Sequence, residues 1–176
     1  MAYYSVMDSL SNMLRGGDRR SIGQSDAVVA SVRRAPERAE ELRHLLADDD
    51  PIIRTRAADA AEKLSRDDPS LIGPCKKLLL ERTLDDGTAE VRWHLIQMMA
   101  RLRLDANEAE DLMAYFAVCF RDDPSRIVRV TALQAAGDLA ARHSELGDEF
   151  GKILRLARNS PRPSLRARAK KLSARQ

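Results

Sequence analysis

The chain has 176 residues, 30 basic and 27 acidic, for a net charge of +3, which is long enough for one domain with a continuous core. Only 4% of residues are aromatic, and Ala, Leu, Arg and Glu abound, a balance that favours helix over sheet. No apolar run reaches membrane-spanning length, and residues 1–14 lack a basic start and contain Asp8, so neither a membrane span nor a secretory signal is expected and the reading is cytoplasmic.

Along the chain, Tyr3, Met7, Leu10 and Leu14 share one helical face, so 2–14 reads as a short amphipathic helix. The stretch Arg15-Gly16-Gly17-Asp18-Arg19-Arg20 ends it, and Ala27, Val28, Ala30 and Val32 suggest another helix over 25–34. Residues 1–35 are expected to cap whatever follows; the sharper reading is a self-association helix that makes a homo-oligomer.

Beyond residue 35 the sequence predicts helices in pairs: 36–47 with 51–66, 69–84 with 88–104, 107–121 with 124–143, and 145–158 with 161–174. Each second helix is preceded by a cap-rich stretch, Asp50-Pro51, Gly87-Thr88, Asp123-Pro124 or Ser160-Pro161. There a side-chain oxygen can accept from a free amide, and proline gives up no helical bond.

The pairs are copies of one pattern. Ile53-Arg54, Val91-Arg92, Val128-Arg129 and Leu165-Arg166 recur with arginines 38, 37 and 37 residues apart. Six residues before them stand Asp48, Asp86, Asp123 and finally Ser160. Positions 3, 7 and 10 after each arginine are mostly apolar and lie on one helical face. A period near forty residues with a constant acid and base marks stacked helical repeats.

With Asp48-Asp49-Asp50-Pro51-Ile52-Ile53-Arg54 as its best copy and Asp122-Asp123-Pro124-Ser125-Arg126-Ile127-Val128-Arg129 as its second, the pattern resembles the HEAT-repeat family over roughly 36–176. The resemblance implies an all-α, right-handed α-solenoid of about four helix pairs (36–66, 69–104, 107–143, 145–176) behind an N-terminal helical cap. It also implies an interior ladder in which Asp48, Asp86 and Asp123 face Arg54, Arg92 and Arg129. On that reading Arg129→Ala is costly and Arg126→Ala nearly silent, while Arg166, facing Ser160, is free for another role.

Catalytic chemistry is thinly represented. Cys75 and Cys119 lie on apolar helix faces, and His44, His94 and His143 form no ligand-spaced cluster. The acidic pairs at helix junctions are explained by capping, and no phosphate loop or nucleophile motif occurs. No catalytic residue, no metal and no cofactor is expected. The reading is a non-enzymatic scaffold.

Two surfaces remain. Positions 2, 5 and 9 after each arginine form a polar stripe on the second helices, which line the concave side in the related family. Arg56, His94, Gln97, Arg101, Thr131 and Gln134 belong to it, with Trp93 beside them, as candidate protein-partner contacts. From Lys152 to Gln176 there are nine basic residues and no acid, leaving 21 basic against 27 acidic elsewhere. Arg162, Arg166, Arg168, Lys170, Lys171 and Arg175 are therefore candidates to contact an acidic protein or nucleic acid. HEAT-like DNA glycosylases and HEAT-like bilin lyase subunits are the alternatives the resemblance brings with it. Gln97, four residues after Trp93, departs from the concave acid that the glycosylases use.

Overall fold

The computed structural model describes residues 9–16, 18, 21–81 and 88–174. Among them every regular element is helical, and the chain divides into two compact units, Met1–Cys75 and Lys76–Gln176.

The first unit contains α1 (Leu10–Leu14), α2 (Ser25–Arg34), α3 (Ala39–Leu45) and α4 (Pro51–Asp67), with 3-10 turns at Pro36–Arg38 and Pro69–Cys75. Helix α4 starts as its sequence demands: Pro51 takes the first position and the Asp50 carboxylate accepts from the Ile52 amide at 2.8 Å. Its face of Ile53, Ala57, Ala61 and Leu64 is buried, and the small alanines bring neighbouring backbones close. Leu10 and Leu14 of α1 and Val28 and Val32 of α2 are fully buried against α3 and α4. Of the amphipathic helix expected over 2–14, Tyr3 and Met7 lie outside the described residues.

The helix expected over 69–84 is broken. Residues 69–75 form a 3-10 turn, α5 spans Lys76–Glu81, and 82–84 lie outside the described residues. Gly73 and Pro74 account for this: proline has no amide to donate and its ring collides with the carbonyl four residues back, so an α-helix cannot run through it.

The second unit continues with α6 (Ala89–Met99), α7 (Ala106–Asp122), α8 (Arg126–Ala140), α9 (Gly147–Arg158) and α10 (Pro163–Ser173), the 3-10 turn Ser144–Leu146 leading into α9. The second helices α6, α8 and α10 pack side by side, while α7 and α9 form a second layer against them. Val128, Ala132, Ala136 and Leu139 of α8 are buried between the layers, beside Phe116 and Phe120 of α7 and Phe150 of α9. At Gly137 the approach is so close that an added methyl would meet Leu172 Cδ2 at 2.9 Å and Phe150 Cζ at 3.1 Å. Helix α7 opens with a capping box: the Asp105 carboxylate accepts from the Glu108 amide, and Glu108 returns the bond to the Asp105 amide, both at 2.9 Å.

Two helices start later than their prolines suggest. Helix α8 begins at Arg126, because Asp123 Oδ1 turns back to accept from the Ser125 amide at 2.7 Å. Helix α10 begins at Pro163, because Ser160 Oγ accepts from the Arg162 amide at 3.2 Å. Asp48 makes the same turn, accepting from the Asp50 amide at 2.9 Å. These three residues therefore hold one structural position.

Candidate functional site

The repeated arginines occupy equivalent places but bond differently. Arg54 Nη1 folds back onto the carbonyls of Asp48 and Asp49, at 2.6 and 3.0 Å. Arg166 Nη1 does the same to the Ser160 carbonyl at 2.8 Å. Arg92 instead reaches forward to the next helix pair, with Nε 2.9 Å from Asp123 Oδ2 and Nη2 3.1 Å from Asp123 Oδ1. This forked bond raises the Arg92 pKa.

Asp123 therefore faces Arg92, not Arg129, which corrects the within-unit pairing taken from the register. A guanidinium on a long stem reaches the neighbouring unit's turn as readily as its own, and the fork geometry decides between them. The contact of Arg54 with Asp48 is likewise to its carbonyl and not to its carboxylate. Asp86 lies outside the described residues.

Arg129 makes no hydrogen bond or ion pair among the described residues, and its Nε is buried without an acceptor. The turn it would reach carries Ser160 in place of an acid. Burial, and then repulsion from Arg162, lowers its pKa, although Asp122 and Asp123 oppose that shift.

The stripe expected on the second helices is only partly a surface. Arg56 is 3% exposed. Its guanidinium donates to the carbonyls of Leu14 at 2.7 Å, Asp18 at 2.9 Å and Ser21 at 3.0 Å, and also to Gly16. Gly23, at φ +56°, comes so near that an added Cβ would lie 2.9 Å from that guanidinium. Asp59 and Lys63, on the same stripe, are tied to α2: Ser25 Oγ donates to Asp59, and Lys63 Nζ lies 2.6 Å from Asp26 and 2.7 Å from Asp59. Burial lowers the Lys63 pKa, but the bonds to Asp26 and Asp59 outweigh it and the net shift is upward.

His94 is also buried, its ring stacked on Trp93 at 3.7 Å. The exposed reading of Arg56 and His94 is therefore wrong. A helix packed between neighbours hides its flanks as well as its inward face, and single-helix periodicity does not register that.

Trp93, Gln97, Arg101, Thr131 and Gln134 are half-buried. Gln134 joins two helices, donating to Asp138 at 2.7 Å and accepting from Arg168 Nη1 at 2.8 Å.

The match to a family model settles what these repeats are: a HEAT repeat domain fits residues 11–175. The chain belongs to the HEAT-repeat family. The match takes in α2 and all of α1 but Leu10, which lie before the stretch in which the arginine period is visible.

Solved structures similar to this HEAT chain include an engineered protein at 15% identity, covering 93% of this chain and 76% of the other, with a TM-score of 0.65. A designed armadillo repeat protein matches at 18% identity over 93% of this chain and 79% of the other, with a TM-score of 0.64. A second engineered protein matches at 15% identity over 93% and 77%, with a TM-score of 0.63. These likenesses concern the helical-repeat fold. No curated protein matches the sequence.

In this HEAT protein the cysteines are unsuited to nucleophilic work. Burial pushes the Cys75 thiol up to about 12 and raises that of Cys119. Among the described residues no group of His, Cys, Asp and Glu could hold a metal ion, and no helix is long and apolar enough to cross a membrane.

The basic end is mostly open to solvent. Lys152, Arg155, Arg158, Arg162, Arg166, Lys170 and Lys171 are exposed and Arg168 is half-buried. Arg158 donates to Ser173 Oγ, and Lys152 pairs with Glu149. Arg175 lies outside the described residues.

Proposed function

We propose that this HEAT-repeat protein is a non-enzymatic interaction scaffold whose last helix pair meets an acidic partner protein. Stacked helical repeats generally serve as scaffolds for protein partners. The observation that carries the finer reading is the charge pattern of α9 and α10. Among the described residues from Lys152 onward there are eight cations and no acid, and Lys152 alone among them makes an ion pair. Cations without an internal counter-charge steer an acidic surface toward them and set its orientation. The half-buried Trp93 and Gln97 on α6, Arg101 in the turn after it, and Thr131 and Gln134 on α8 supply a less charged flank to the same contact.

The test replaces Arg166, Arg168, Lys170 and Lys171 with Ala and compares capture of proteins from the native cell. Salt-sensitive capture of an acidic protein by the wild type, lost in the variant, is the expected result. Equal capture by both removes the basic end from the proposal.

The same cations carry a second reading, nucleic-acid binding through phosphate contacts. It predicts retention on a DNA column that falls steeply with salt and vanishes in the same variant. The uncharged Gln97, whose amide donates to the Trp93 carbonyl at 3.4 Å, speaks against a glycosylase version of it.

A further inference from the structure

We propose that Arg129 and Arg162 receive a single carboxylate, presented by an acidic segment of a partner protein, at the place where the preceding repeat carries its own aspartate. This deepens the scaffold reading by naming one contact within it, and it rests on that reading.

Asp123 and Ser160 hold equivalent positions in successive turns. Both sit three residues before a second helix, and both accept from the amide two residues on, at 2.7 and 3.2 Å. Asp123 has a second oxygen to offer, and Arg92 grips the carboxylate with both arms of its fork, at 2.9 and 3.1 Å. Ser160 has one oxygen, and the turn uses it. Arg129, the repeat equivalent of Arg92, consequently has no carboxylate on the turn it would reach.

Two features make this more than a lost bond. Asp123 and Ser125 of one turn become Ser160 and Arg162 in the next, so the turn's own charge changes from negative to positive. In addition, donors there are left over. Arg129 Nε is buried without an acceptor, and Ser164 Oγ, on the first turn of α10, is buried without a partner. Buried donors are costly to leave unmade, and a planar carboxylate satisfies a guanidinium fork at both arms. The neighbouring Arg92–Asp123 contact supplies the template, and its anion is a carboxylate.

The experiment follows the Arg129 Nε–Hε resonance by NMR while hexaglutamate is titrated into the full chain. In the wild type the resonance moves and saturates. Ser160→Asp supplies the carboxylate internally. It is expected to move that resonance without any peptide, to raise the melting temperature by about 2–4 °C, and to weaken hexaglutamate binding about tenfold or more. Leu156→Asp adds the same charge at an exposed position of α9 and is expected to leave binding within about threefold.

Equal weakening by the two variants would reduce the effect to net charge and overturn the site. A Ser160→Asp protein with an unmoved resonance and an unchanged melting temperature would overturn it as well. Inorganic phosphate that moves Arg129 at lower concentration than hexaglutamate would reassign the site to phosphate and reject the carboxylate. If this titration succeeds while the four-alanine variant still captures the same proteins, Arg166, Arg168, Lys170 and Lys171 drop out of the scaffold reading and the site stands. The opposite pair of results retains the scaffold and discards the site.

Discussion

Arg92 grips Asp123 of the following helix pair with both arms of its guanidinium, at 2.9 and 3.1 Å, with side chains only 14% and 8% exposed. The bond therefore joins one repeat to the next, and within the second unit it ties α6 to the turn before α8. Asp123 thus serves the arginine of the repeat before it, so replacing Asp123 alters the contact that Arg92 makes.

Arg92→Ala is expected to lower stability by about 3–5 kcal/mol, since it leaves a nearly buried carboxylate without its cation. Arg129→Ala is expected to change stability by no more than about 1 kcal/mol, because no ion pair is lost and an unfavourable burial of charge is relieved. This reverses the cost that repeat register alone assigns to Arg129. Urea denaturation of the two variants checks it, and matched midpoints would contradict the forward pairing.

Arg56→Ala is expected to release the segment between α1 and α2, whose carbonyls of Leu14, Gly16, Asp18 and Ser21 all accept from this one side chain. A loss of about 2–3 kcal/mol is expected for so many charge-assisted bonds, which do not add independently. Arg56→Lys should rescue little of it, because an ammonium cannot spread its donors over so wide an arc. Hydrogen exchange reads this directly: amides of the described residues in 10–24 should exchange faster while those of α8 remain protected. Unchanged exchange in 10–24 would refute the tethering role.

The helix pairs were legible because each one repeats three signals in a fixed order: a capping turn, an aliphatic-arginine pair, and mostly apolar residues on one face. Ala57, Leu95, Ala132 and Ala169, all three residues after an arginine, are indeed buried. What periodicity cannot express is the neighbour. Arg56 looks like a surface residue until α1 and α2 supply carbonyls for it, and His94 looks exposed until Trp93 lies on it. The broken helix at Gly73-Pro74 was open to reading, since the proline is in plain sight. The choice of Arg92 for Asp123 was not, because an arginine side chain is long enough to serve a turn on either side of it.

Cys75 should resist modification in the native protein. With its thiol buried and pushed up to about 12, almost no thiolate exists at pH 8. Reaction with a thiol reagent at that pH is expected to be slow until denaturant is added, whereupon both cysteines label rapidly. Rapid labelling of Cys75 in the folded chain, located by mass spectrometry, would contradict its burial.

Acid should weaken the start of α7 through Glu108. Its carboxylate pKa is lowered by the hydrogen bond from Lys76, at 2.8 Å, and by the Asp105 amide. A depressed folded-state pKa contributes stability above the unfolded value, about 4.3 for glutamate, and loses it as pH falls through the folded one. Glu108→Gln keeps an oxygen for the Asp105 amide but removes the charge. The variant should melt lower than wild type at pH 7, and the two melting curves should converge as pH is taken below the carboxylate range. Lys76→Met should show the same convergence, since it removes the other half of the pair. A constant offset between wild type and Glu108→Gln at every pH would mean that the carboxylate gains nothing from Lys76.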